Sequence, residues 1–295
     1  VTYQDPLAYL LGLEGMALLD AWAGDHDRAF TEARIAEIRR LLDDERLRDR
    51  GVDTETVAAD VSYAQQAPEY DANAGGGLFA LDEPVVARFL EGREAGVALD
   101  AACGTGRFAE FLAGRGHRVV GVDGSPDMLE LARRRVPDGE FHLGQLDGLP
   151  LPDDSVDVIV CGLALVHVRD LAPVLAEFAR VLRPGGDLVI SDIHHELANL
   201  GSAIKGVGPG GERRIAPTFR HPLGDYLRAA LDAGLDVRGC EEPNVAWGGP
   251  IPEAATEIGD WAVWPWSLMA YAPEVTRAVS GRPNLVVWHF AQPAR

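Results

Sequence analysis

The sequence predicts an α/β fold: a doubly wound, mostly parallel sheet with helices on both faces, an N-terminal helical extension and an aromatic-rich C-terminal cap insertion. Three observations carry that expectation. Residues 97–109, Val-Ala-Leu-Asp-Ala-Ala-Cys-Gly-Thr-Gly-Arg-Phe-Ala, run from an apolar strand through a glycine turn into a helix. Over residues 97–191 strand-length apolar runs alternate with helix-length amphipathic ones, the pattern of parallel strands joined by crossover helices. Finally, the second of these strands ends in a carboxylate, Asp123, about 20 residues past the glycine turn.

The extension comes first in the chain. Asp5-Pro6 starts a helix that runs to about Ala23, with Leu7, Leu10, Leu11, Leu13, Leu18 and Trp22 on more than one face. Such a helix needs cover on several sides, from its own domain or from a partner subunit, so a homodimer or higher homo-oligomer through the N-terminal helices is one expectation. After Gly24-Asp25 a second helix reaches about Asp43, with an apolar stripe of Phe30, Ile35, Ile38, Leu41 and Leu42 opposite Glu32, Arg39 and Arg40. Residues 47–56 are charged and read as a connection, and residues 74–77 as a glycine joint. The expected division is a helical cap or lid over 1–74 and a core over 75–295, with 195–221 and 243–283 as substrate-side insertions.

Within the core, a helix over 83–90 leads into the first strand, and 117–123 is the second strand. Ser125-Pro126-Asp127 then opens a helix, with Ser125 as N-cap and Pro126 in the first turn. Strands follow at 140–146 and 158–161; Asp170 caps a helix that covers the sheet with Leu171, Val174, Leu175, Phe178 and Leu182 and stops at residues 183–186. The fifth strand is 187–191, Gly208-Pro209-Gly210-Gly211 reads as a hairpin tip, and a helix over 222–233 precedes a strand over 235–240. Residues 243–283 gather Trp247, Trp261, Trp264, Trp266 and Tyr271 among prolines, which suits an aromatic wall around a flat or apolar substrate or else a packed surface subdomain. Residues 284–290 alternate as a final strand.

Composition narrows the function. The 295 residues are 47% hydrophobic, enough for a substantial core. A formal net charge of −19 with no basic run argues against nucleic acid and anionic membranes as partners. Cys103, Cys161 and Cys240 are odd in number and widely spaced, which suggests neither a disulfide framework nor a zinc site and fits a reducing cytoplasm. No signal peptide is read at the start, and Gly12, Glu14, Gly15 and Asp20 interrupt the leucine-rich stretch well short of a membrane span.

Gly104 and Gly106 let the backbone approach a ligand, and Gly104-x-Gly106-x-x-Ala109 fits the loose dinucleotide fingerprint, which keeps an NAD-dependent oxidoreductase as a remote alternative. Asp100 argues against it, because a carboxylate there would repel a pyrophosphate and better suits a ligand with an amino group and a sulfonium. Asp-x-x-Cys-Gly-Thr-Gly resembles the first motif of class I S-adenosylmethionine-dependent methyltransferases. Residues 149–157, Leu-Pro-Leu-Pro-Asp-Asp-Ser-Val-Asp, resemble the type 11 members similar to ubiquinone and menaquinone methylating enzymes.

The resemblance spans about residues 63–196. It implies a Rossmann-like sheet, S-adenosylmethionine as cofactor and S-adenosylhomocysteine as product, held by Asp100, Ala102, Gly104 and Gly106 at the turn. It further implies Asp123 and Gly124 at the ribose, Met128 stacked on adenine, Leu146 and Cys161 in the site, and Tyr63 and Tyr70 closing over the methionine end. Where the family has Gly-Asp this chain has Gly144-Gln145, so Gln145, rather than Asp147, is expected to accept from the adenine amino group.

Methyl transfer to a hydroxyl also needs a base, and His167 after the fourth strand and His194 after the fifth are the candidates, with Asp192 as orienter. His195 should point away if the chain stays extended there. No metal is expected, although metal-assisted O-methylation of a catechol is an alternative. The acceptor implied by similarity to actinobacterial natural-product enzymes is a small aromatic or glycosylated secondary metabolite, methylated on oxygen. Alternatives are C- or N-methylation of an indole, terpenoid or amino sugar, and cofactor binding without transfer.

Overall fold

The computed structural model describes residues 1–59, 77–201, 203–245 and 250–294. In chain order the first elements are β1 (Thr2–Gln4), α1 (Pro6–Ala23), α2 (Arg28–Leu42), β2 (Val52–Thr56), α3 (Phe79–Phe89), β3 (Val97–Ala101), α4 (Arg107–Ala113), β4 (Arg118–Asp123), α5 (Pro126–Arg135), β5 (Glu140–Leu143) and β6 (Val156–Gly162). They are followed by α6 (Leu171–Val181), β7 (Leu182–Ile193), α7 (His195–Asn199), β8 (Lys205–Val207), β9 (Arg213–Ile215), α8 (Leu223–Asp232), β10 (Asp236–Glu241), α9 (Trp266–Tyr271), α10 (Pro273–Val279) and β11 (Leu285–Ala291). The chain divides into two compact units: Val57–Asn199 with Ala216–Val245 and Pro283–Arg295, and Val1–Thr56 with Leu200–Ile215 and Ala246–Arg282.

The larger unit holds a seven-stranded sheet in the order β10-β11-β7-β6-β3-β4-β5. Strands β5, β4, β3, β6 and β7 are parallel, and β11 runs antiparallel to both β7 and β10. Because both faces are covered, the central strands are apolar at successive positions, and alternate residues feed two separate cores. Leu99, Ile159 and Leu188 pack with Leu175 and Phe178 of α6 and with Tyr226 of α8. On the other face Ala98, Val160 and Val189 pack with Val86 of α3, Leu112 of α4 and Leu129 of α5.

Local signals set the element ends. Ser125 caps α5 by accepting from the Met128 N–H, and Asp170 caps α6 by accepting from the Ala172 N–H at 3.0 Å. Helix α6 ends at Val181, just before the stop expected at residues 183–186, but those residues already belong to β7 rather than preceding it: Gly185 N–H donates to the Gln292 carbonyl and Gln292 N–H to the Gly186 carbonyl, so long-range pairing extends the strand into a turn-like sequence. Beyond β7 the chain does not stay extended, since α7 begins at His195.

The smaller unit has a four-stranded sheet in the order β1-β2-β9-β8. The expected connection over 47–56 therefore contains a strand, β2, with Thr54 buried between β1 and β9. The glycine-rich hairpin tip forms, with Gly208 N–H donating to the Glu212 carbonyl at 2.8 Å. Helix α1 is capped by Asp5 and ended by Gly24 in the left-handed region. The stripe expected on α2 is corrected by Arg34, which is only 4% exposed and donates to Glu14 at 3.1 Å, while Leu42 is left exposed. Burial pushes Glu14 up to about 7 although Arg34 opposes it. Trp261, Trp264 and Tyr271 are buried, and the Trp261 indole N–H donates to Gln4 Oε1 at 2.6 Å, whereas Trp22 and Leu19 of α1 are exposed. Trp247 lies outside the described residues. Among the described residues no helix is long and apolar enough to cross a membrane.

Candidate active site

The helix after β3 covers one face of the sheet and the helix after β6 covers the other, so a crevice opens at the carboxyl ends of these neighbouring strands. A cavity of about 600 Å³ lies there. Its wall includes Ala102 and Gly104 after β3, Asp123 at the end of β4 with Gly124 and Met128 after it, Gln145, Leu146 and Asp147 after β5, and Gly162 at the end of β6 with Leu163, His167 and Arg169 after it.

The two turn glycines serve different ends. Gly104 has φ +51°, and a β-carbon built on it meets no atom within 4 Å. Its N–H donates to Asp123 Oδ2 at 2.8 Å, while Ser125 N–H donates to Asp123 Oδ1 at 2.8 Å, so one carboxylate ties both loops together. Burial raises the Asp123 pKa and these N–H groups oppose it. Gly106, at φ +87°, does not line the cavity; a β-carbon there would sit 3.1 Å from Ala132 Cα, so its small size lets α4 pack on α5. Ala102 and Leu163 both have φ +57° and both line the cavity, one after each of the central strands. A β-carbon in this region costs about 1–2 kcal/mol, which is strain held in the wall of the crevice.

Met128 is 2% exposed and borders the cavity in the first turn of α5. The Gln145 amide lies over Gly124, with Nε2 3.1 Å from where a β-carbon of Gly124 would be. Asp147, set aside in the sequence, is also in the wall. The His167 Nδ1–H donates to the Pro217 carbonyl at 2.9 Å, which makes Nε2 the basic nitrogen of the neutral ring. Burial holds its pKa below the ordinary histidine value, against the effect of that hydrogen bond.

Other candidates are elsewhere. Asp100 is 2% exposed and absent from the cavity wall; its Oδ2 accepts from the Ala109 N–H at 2.7 Å, so it braces the first turns of α4. Cys161 is fully buried in the sheet core, its thiol driven up by burial, and Gly162 and Leu163 form the wall in its place. Neither His194 nor Asp192 lines the cavity. The His194 Nε2–H donates to Glu242 at 2.8 Å and its Nδ1 accepts from the Glu196 N–H at 3.2 Å, so both nitrogens are engaged at the start of α7. Asp192 accepts from the Tyr226 hydroxyl at 2.5 Å and does not orient His194. Contrary to the extended-chain expectation, the His195 ring lies 4.2 Å from that of His194. Tyr63 and Tyr70 lie outside the described residues. Among the described residues no group of three or more His, Cys, Asp or Glu could hold a metal ion.

Burial pushes Asp100 up to about 7 and Asp192 up to about 6. Each group then binds its proton more tightly folded than unfolded, so the stability it contributes is full below the unfolded pKa and is lost as pH rises to the folded pKa. The slope is at most about 1.4 kcal/mol per pH unit for each titrating group. Thermal unfolding followed by circular dichroism should give a lower midpoint at pH 8 than at pH 6. A midpoint that rises over this window would contradict this and show that His117, His167 and His194, whose pKa values burial lowers, outweigh the two carboxylates.

Residues 99–190 match the methyltransferase domain family. Over 193 residues the chain is 36% identical to a malonyl-[acyl-carrier protein] O-methyltransferase from Serratia marcescens, covering 60% of this chain and 72% of that protein. It is 42% identical over 98 residues to a demethylmenaquinone methyltransferase from Chlorobaculum parvum, covering 33% and 41%. Among solved structures it is similar to the Haloferax volcanii complex of the Trm112 activator with a methyltransferase, at a TM-score of 0.58 and 22% identity over 78% of this chain and 97% of that chain, a likeness of fold.

Proposed function

The chain belongs to the class I, type 11 S-adenosylmethionine-dependent methyltransferases, and from that membership we propose that it methylates an oxygen of a small-molecule acceptor with His167 as general base. The observation that supports this reading is that Gly104, Asp123 and His167 share the wall of one cavity. The cofactor of the family is S-adenosylmethionine, which sets the oxidoreductase alternative aside. The residues present suit it: open space at Gly104 admits a ligand against the backbone, and Asp123 offers carboxylate lone pairs beyond those used by two N–H groups. When bound, the cofactor supplies a methyl group already activated on sulfur.

In this reading Asp123 accepts the two ribose hydroxyls, Met128 gives adenine an apolar face, and Gln145 accepts from the adenine amino group. His167 takes the acceptor's proton at Nε2 while the Pro217 carbonyl keeps Nδ1 protonated. The oxygen preference is supported by the O-methyltransferase similar over 193 residues. Methylation on carbon or nitrogen is the second reading. The acceptor class we propose is an aromatic or glycosylated secondary metabolite. Mass spectrometry of candidate acceptors incubated with the protein and methyl-labelled cofactor tests it, and label on carbon or nitrogen alone would select the second reading.

Asp123→Ala should weaken S-adenosylhomocysteine binding by about 1.5–3 kcal/mol, the scale of lost hydrogen bonds to a charged group. Calorimetric titration measures this directly. Unchanged affinity would remove Asp123 from the cofactor site.

A further inference from the structure

A line of buried polar side chains lies behind the cavity wall and takes no part in the steps above. Residues 217–221 run alongside residues 166–168 and are joined to them three times. His167 Nδ1–H donates to the Pro217 carbonyl at 2.9 Å, Phe219 N–H donates to the Val166 carbonyl at 2.7 Å, and the His221 Nε2–H donates to the Val168 carbonyl at 2.8 Å. Two of these bonds involve cavity-lining residues, His167 and Val168.

His221 is itself held from behind. It is 8% exposed, and its ring meets that of Tyr226 edge-on, with centroids 5.7 Å apart and planes at 81°. Tyr226 is 1% exposed, and its hydroxyl donates to Asp192 Oδ2 at 2.5 Å. Asp192 is fully buried near the carboxyl end of β7. A hydroxyl and a carboxylate buried together hold a fixed geometry, because breaking the bond would strand both without water.

We propose that His221, anchored through Tyr226 to Asp192, is a positioning residue that keeps the 217–221 segment seated so that His167 holds one tautomer and one orientation in the active site. This rests on the reading of His167 as base. Asp192 thus serves the site through Tyr226 and His221, and not through His194. If the Val168 contact is lost, the Pro217 carbonyl is no longer fixed beside His167, and the ring can exchange the proton between its nitrogens.

The test uses the full chain labelled with ¹⁵N-histidine and saturated with S-adenosylhomocysteine, with the His167 signals assigned from their loss in His167→Gln. The wild type should show His167 as a single Nδ1–H form. In His221→Met, similar in bulk but without a donor, those signals should average between tautomers while S-adenosylhomocysteine affinity changes by less than about twofold. His221→Gln, whose amide can donate to Val168, should restore the single form. A His167 tautomer unchanged in His221→Met overturns the proposal, as does a loss of cofactor-product affinity in parallel with the tautomer. Should the Met variant not fold, His221→Gln decides: a retained Nδ1–H form supports the positioning role and a mixed one overturns it. Undiminished turnover in His167→Ala would refute the base while leaving this spectroscopic result standing.

Discussion

Replacing His167 by alanine should lower turnover by about 10²–10⁴-fold, the range supplied by a positioned general base. Affinity for S-adenosylhomocysteine should stay within about twofold, because the loss falls on the proton transfer and not on cofactor binding. The geometry behind this expectation is specific: His167 lines the cavity, and the Pro217 carbonyl accepts a hydrogen bond from its Nδ1–H. Since burial holds the ring's pKa below the ordinary value, the neutral, basic form prevails at neutral pH. Turnover should therefore be level above about pH 7 and fall on the acid side, as protonation removes the base. Near-normal turnover in the variant would point to an acceptor that needs no base, and so to methylation on carbon or nitrogen.

Gly104→Val should abolish binding of S-adenosylhomocysteine while the protein still folds. The β-carbon would meet no protein atom within 4 Å, so no neighbouring atom blocks it, but the side chain would enter space bordering the cavity. A branched residue at φ +51° adds local strain of about 1–2 kcal/mol, small beside the loss of the site. Gly106→Val makes the opposite contrast, because the added atoms would press on Ala132 and cost stability first. Comparing calorimetric binding with thermal unfolding separates the two. Wild-type affinity in Gly104→Val would mean that the turn does not hold the cofactor.

Much of this cavity's wall was legible in the sequence because its determinants are local. A strand followed by small residues needs only a few consecutive positions to be recognised, and Ser125-Pro126 announces its helix without any tertiary contact. What escaped depends on distant pairing. The polar run Val52–Thr56 becomes a strand because β1 and β9 lie on either side of it, the latter more than 150 residues away in the chain. Arg34 reads as a surface residue until Glu14 and Glu274 supply its partners. His194 follows a strand just as His167 does; only the onset of α7 and the contact with Glu242 turn it away from the crevice. His221 carried no local signal, since its role comes from Val168, 53 residues earlier. The carboxylate Asp100 was read for its charge, whereas burial and the Ala109 N–H give it a structural task in α4.

A crystal structure of the protein grown with S-adenosylhomocysteine is the most direct test of the proposed cofactor site. The ribose hydroxyls are expected on Asp123, the adenine between Met128 and Gln145, and the sulfur in the cavity that His167 lines. Product bound outside this cavity, or with its ribose away from Asp123, would contradict it.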